Sequence, residues 1–126
     1  MNYIPRIIDD ELKNKLNVTG AVLVRGPKWC GKTTSAKQIA KSVLEMQNPD
    51  LQENYLELAN LKPSLLLEGD KPRLIDEWQL APRLWNAVRY DVDRTGLTKQ
   101  YILTGSSVPV EDDTLHSGVG RFSFVT

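Results

Sequence analysis

Gly26-Pro27-Lys28-Trp29-Cys30-Gly31-Lys32-Thr33 is the stretch on which the reading of this chain turns. It fits the pattern G-x-x-x-x-G-K-[ST], and each fixed position has a physical task. Gly26 and Gly31 permit the backbone angles that turn successive N–H groups inward around phosphate oxygens. Lys32 brings a fixed positive charge to the β and γ phosphates of a nucleotide, and the Thr33 hydroxyl can ligate Mg²⁺. A helix beginning at Lys32 aims the positive end of its dipole at the same anion. The candidate nucleotide-binding set is therefore Gly26, Pro27, Lys28, Trp29, Cys30, Gly31, Lys32, Thr33 and Thr34.

The flanking sequence supplies the context such a loop needs. Ala21-Val22-Leu23-Val24 is a continuous apolar run, as expected of a strand buried on both faces. After the loop, Ala36, Ile39, Ala40, Val43 and Leu44 recur at helical spacing. Further out, helices and strands alternate. Asp9 or Asp10 caps a first helix carrying Leu12 and Leu16, which ends before Thr19-Gly20. Tyr55-Leu56-Glu57-Leu58 is expected as a second strand, Pro63 to Glu68 as a short helix closed by Gly69, and Arg73-Leu74-Ile75 as a third strand. Leu84, Trp85, Val88 and Val92 share one helical face, with Gly96 as the stop. Gln100 to Thr104 is a fourth strand, and Arg121 to Val125 begins a fifth. Strands separated by helices imply crossover connections and a mostly parallel sheet, whose ligands bind beyond the carboxyl ends of the strands. The chemistry is expected just after Val24, Ile75 and Leu103.

Two of those strand ends carry further candidates. Asp76-Glu77 follows the third strand: Asp76 can hold Mg²⁺ through water, and Glu77 can orient and deprotonate an attacking water. The 43 residues between Lys32 and Asp76 leave room for the intervening helices and strand. Thr104-Gly105-Ser106-Ser107 follows the fourth strand; a hydroxyl there can touch the γ-phosphate or the water, and the segment also reads as an ordinary strand-to-loop turn. Arg121 suits the neutralisation of a transferring phosphoryl group from a neighbouring subunit, or is a solvated surface residue. Cys30 lies between Lys28 and Lys32 at a helix start, which favours the thiolate, although a small side chain filling a loop position is the simpler account. Trp29 and Trp78 are candidates for stacking on a base or a partner, whereas Trp85 is expected in the core.

Composition narrows the class. The chain has 126 residues, 16 Lys+Arg against 16 Asp+Glu, one His, one Cys, 40% apolar and 25% charged residues. That balance belongs to one globular domain and argues against disorder or low complexity. A lone Cys without a signal-peptide pattern points to a reducing cytoplasm. No apolar run approaches the roughly 18 residues of a membrane helix. His116 is the single imidazole, which argues against a histidine-built zinc site or a Ser-His-Asp triad. Zero net charge, and no basic stripe with interleaved aromatics around Arg25 and Lys28, leave nucleic-acid binding without support.

With these residues assembled, the chain resembles the AAA+ family of P-loop ATPases. It looks most like the prokaryotic AAA-type proteins of unassigned role that read Gly-Pro-Lys-Trp-Cys-Gly-Lys-Thr at the phosphate loop. The likeness extends over Tyr3-Ile4-Pro5-Arg6, Arg73-Leu74-Ile75-Asp76-Glu77-Trp78-Gln79, Ile102-Leu103-Thr104-Gly105-Ser106 and His116-Ser117-Gly118-Val119-Gly120-Arg121. It implies a three-layer α/β/α sandwich of the AAA+/ASCE type over residues 1–126, with ATP and Mg²⁺ as ligands. Lys32, Glu77, Ser106 and Arg121 would be the catalytic set, and Thr33 and Asp76 the metal ligands. Ser106, or else Thr104, corresponds to the polar sensor, and Ile4 to Ile7 would lie near the adenine. Members of the family usually continue into a helical lid and often a C-terminal domain; this chain reaches Thr126 in its fifth strand, so truncation before the lid is expected. An unprotected sheet edge there would favour a homo-oligomer or strand-exchanged dimer. Three activities fit the residues: ATP hydrolysis, a nucleotide-dependent switch or assembly module with negligible turnover, and a small-molecule kinase. The Glu directly after Asp76 argues against the kinase, because that base serves water.

Overall fold

The computed structural model describes residues 3–25, 32–105 and 122–125, with side chains over 9–24 and 34–105. Helices are α1 (Tyr3–Leu16), α2 (Lys32–Ile39), α3 (Gln52–Leu61) and α4 (Arg83–Thr95). Strands are β1 (Ala21–Arg25), β2 (Ser42–Glu45), β3 (Arg73–Asp76), β4 (Tyr101–Gly105) and β5 (Phe122–Val125), in one sheet of order β2-β3-β4-β1-β5. All four pairings are parallel. Parallel neighbours need a crossover between them, and α2, α3 and α4 lie in those crossovers.

The central strands β1, β3 and β4 are buried on both faces, so their alternate residues enter two separate cores. Val22, Val24, Leu74 and Ile102 point to one face, where Leu12 and Leu16 of α1 and Ala36 of α2 cover them. Ala21, Leu23, Ile75, Tyr101 and Leu103 point to the other, against Ala59 of α3 and Leu84, Trp85, Val88 and Val92 of α4. This is the expected three-layer α/β/α sandwich. The helical face expected from Leu84 to Val92 is fully buried, and Gly96 closes α4 in the left-handed region at φ 69°.

Two local expectations fail for identifiable reasons. The apolar spacing taken to run on through Val43 and Leu44 breaks after Ile39, and those two residues belong to the edge strand β2, with Leu44 inward and Val43 exposed. Tyr55 to Leu58 is helical rather than a strand: Tyr55, Leu56, Leu58 and Ala59 form one face of α3 against the core. A four-residue apolar run satisfies either periodicity, and burial decided between them. The segment Pro63–Leu67 is a 3-10 turn, and α1 begins at Tyr3, ahead of the expected cap.

The amino ends of β3 and β4 are pinned by a polar cluster. The Tyr101 hydroxyl donates to Asp91 of α4 and accepts from Lys71 Nζ at 3.1 Å, and Lys71 also donates to the Leu67 carbonyl at 2.7 Å. Burial raises the Asp91 carboxyl, but hydrogen bonds from Tyr101 and Arg94 outweigh it and hold the group below the ordinary carboxylate range. Burial, followed by the bond to Asp91, pushes the Tyr101 phenol far up. A carboxyl depressed on folding stabilises the fold above its unfolded pKa, and that contribution is lost as pH falls through the folded value. Tyr101→Phe is therefore expected to lose about 1–2 kcal/mol at neutral pH and to flatten the acid limb of stability. Urea titrations from pH 7 to pH 3 check both; an unchanged acid limb would show that Arg94 and Lys71 hold Asp91 without Tyr101.

Candidate nucleotide site

The register of the sheet builds the site. Asp76 on β3 stands opposite Thr104 on β4, and Thr104 stands opposite Val24 on β1. One transverse row at the carboxyl ends therefore runs from the acidic pair, through a hydroxyl, to the strand that leads into the glycine-bracketed loop. Neighbouring strands lie about 4.8 Å apart, which sets Asp76 roughly 10 Å from the β1 backbone. That separation accommodates a hydrated cation and a phosphate between them.

Asp76 is buried, at 3% exposure, and its carboxylate is held on both sides. Thr104 Oγ1 donates to Oδ1 at 2.6 Å, and Gln47 Nε2 donates to Oδ2 at 2.8 Å. Two neutral donors fix the plane of the carboxylate without neutralising it and leave lone pairs for a hydrated metal. A hard oxygen donor at a strand end, oriented in this way, fits Mg²⁺ held mostly through water.

Glu77 follows directly and leaves the sheet. Its backbone lies in the left-handed region at φ 58°, ψ 48°, which a residue with a Cβ rarely adopts. Such conformations concentrate at functional positions. Glu77 is 6% exposed, and Gln79 Nε2 donates to its Oε1. The next residues, Trp78–Leu80, form a 3-10 turn. Trp78, expected as a stacking surface, is buried instead, its ring centroid 5.3 Å from that of Trp85. It anchors this turn to α4, and so fixes where Glu77 points.

On β1's side, the strand ends at Arg25 and α2 opens at Lys32, so a strand and a helix flank the motif. Thr34 lies exposed in the first turn of α2. The loop residues Gly26, Pro27, Lys28, Trp29, Cys30 and Gly31 lie outside the described residues, as do Ser106 and Arg121; the side chains of Lys32 and Thr33, and of Ile4 to Ile7 in α1, also lie outside them. Thr104, weighed as a sensor, is committed to Asp76. A cavity of about 1100 Å³ is lined by residues that include Lys71, Arg83, Tyr90, Asp91 and Tyr101, at the opposite, amino end of the sheet. It is remote from the acidic pair.

Sequence reasoning missed Gln47 and Gln79. Gln47 was hidden by reading Val43 and Leu44 as helix, which concealed a strand end two residues before it. Gln79 stood inside a quoted motif, but only the turn at Trp78 reveals that its amide folds back onto Glu77.

A family model described as "AAA domain" matches residues 18–126. The chain belongs to the AAA-domain family. Among curated proteins, this AAA domain is 33% identical over 100 residues to the uncharacterized proteins Mb2031c of Mycobacterium bovis and Rv2008c of Mycobacterium tuberculosis. Each match covers 78% of this chain and 22% of the relative, so the chain spans about a fifth of the length of the curated relatives it matches. Among solved structures, C. elegans PCH-2 matches with a TM-score of 0.49 and 20% identity, over 98% of this chain and 41% of that one. That family is one of nucleotide-binding P-loop ATPases. No helix among the described residues is long and apolar enough to cross a membrane.

Proposed function

We propose that this AAA domain binds Mg·ATP and hydrolyses it by in-line attack of water. The observation that carries the proposal is the row Asp76–Thr104–Val24: a buried, doubly oriented carboxylate two strands from the phosphate-loop strand, with a left-handed Glu directly after it. Loop amides and Lys32 would hold the β and γ phosphates. Thr33 and Asp76 would hold Mg²⁺, which when bound neutralises charge developing on the phosphates. Glu77 would orient the attacking water and take its proton. Ser106 would sense the γ-phosphate, and Arg121 would reach a nucleotide bound by a neighbouring subunit. A cytoplasmic homo-oligomer, with the lid and effector region supplied by further chain, completes the reading.

Release of inorganic phosphate by the full-length protein, with and without Mg²⁺, tests it. Mg²⁺-dependent release supports hydrolysis. Tight ATP binding without release would replace hydrolysis by a nucleotide-dependent switch, and phosphate appearing on a metabolite would replace it by a kinase.

A further inference from the structure

Glu77 does not hold its own carboxylate in place. The left-handed backbone at φ 58° carries the chain out of β3 and turns it into the 3-10 segment Trp78–Leu80, and the Gln79 amide closes back onto Glu77 Oε1. Trp78 fixes that segment, being 4% exposed and packed on Trp85. The other end of the Gln79 amide is wedged as tightly. Its Oε1 is buried and has no hydrogen-bond partner among the described residues. It lies over Gly105, the last residue of β4: a methyl group at position 105 would come within 2.4 Å of it. A buried amide with an idle acceptor costs free energy, so packing against Gly105 and the bond to Glu77 are what hold it there.

We infer that Gln79 is a positioning residue, clamped between the exits of β3 and β4, that fixes the plane of the Glu77 carboxylate for attack of water. The inference rests on the reading of Glu77 as the base. The amide occupies one carboxylate oxygen and removes the rotation about the last side-chain bond that would carry the base out of line. Gly105 belongs to the same device, because only a residue without a side chain leaves room for the Gln79 amide. The device also links Glu77 to the end of β4, one residue before Ser106. A displacement of that strand end would therefore be felt at the base.

Gln79→Met keeps the length of the side chain and removes its donor. Turnover is expected to fall roughly 10- to 100-fold, with KM for ATP and affinity for ADP unchanged. Gly105→Ala, which displaces the amide sterically, should lower kcat in the same direction. In the double variant Glu77→Gln/Gln79→Met, kcat should be no lower than in Glu77→Gln alone, since the clamp has nothing left to position. A purely structural role would give additive losses. A second readout is independent of turnover: the side-chain NH₂ resonances of Gln79, identified by their loss in Gln79→Met, should shift in nucleotide-free Glu77→Ala protein. Unshifted resonances, or turnover that needs Glu77 but not Gln79, would overturn the inference alone. Turnover indifferent to Glu77→Gln would remove the base and this inference with it.

Discussion

Glu77→Gln protein is expected to bind ATP as tightly as the parent and to release phosphate about 10²- to 10⁴-fold more slowly, the range a general base contributes. The substitution is close to isosteric, so it retains the packing that buries Glu77 and the oxygen that accepts from Gln79. What it removes is the capacity to take a proton from water. The prediction is sharp because the neighbouring Asp76 keeps both its donors, Thr104 and Gln47, and the metal-binding carboxylate is undisturbed. Stopped-flow binding of a fluorescent ATP analogue beside a single-turnover phosphate assay separates the two quantities. Loss of binding together with turnover would place Glu77 in nucleotide retention instead of chemistry.

Lys32→Ala is expected to act on the other quantity. Lys32 opens α2, immediately after the glycine-bracketed loop, at the helix end where the dipole is positive. Hydrogen bonds to charged groups contribute about 1.5–3 kcal/mol each. Removing the ammonium should therefore weaken Mg·ATP binding roughly 10- to 100-fold, and turnover should fall with it even at saturation. The substitution lies at the start of a helix, where Ala is well tolerated, so the unfolding midpoint should stay near that of the parent. Calorimetric titration with ATP checks the affinity. An unchanged dissociation constant would remove the phosphate-loop assignment altogether.

The residues that make chemistry were the most legible in the sequence, because chemistry constrains their type and spacing. The loop pattern, Asp76-Glu77 and the hydroxyl-bearing end of β4 could each be read from the strand run before it, and the register then set Asp76, Thr104 and Val24 in one row. The buried face of α4 was equally legible, since four large apolar residues at helical spacing admit one arrangement. Short elements were not. Ser42–Glu45 and Tyr55–Leu58 each offer about one turn of signal, and tertiary burial, which sequence periodicity does not contain, assigned the first to an edge strand and the second to a helix. Orientation was illegible for a related reason. Trp78 reads as an exposed aromatic beside a catalytic pair until the left-handed turn at Glu77 rotates it under α4. The same turn brings Gln79 onto Glu77, a contact between residues two apart that helical geometry would not bring face to face.

The central claim is that water, directed from the carboxyl ends of β1, β3 and β4, attacks the γ-phosphorus of bound ATP. Incubating the full-length protein with Mg·ATP in ¹⁸O-enriched water, and weighing the released phosphate by mass spectrometry, addresses it directly. The predicted result is inorganic phosphate with at least one solvent oxygen, formed far faster than in the Glu77→Gln control. Phosphate no more abundant than that control produces, or label found in ADP instead, would contradict it.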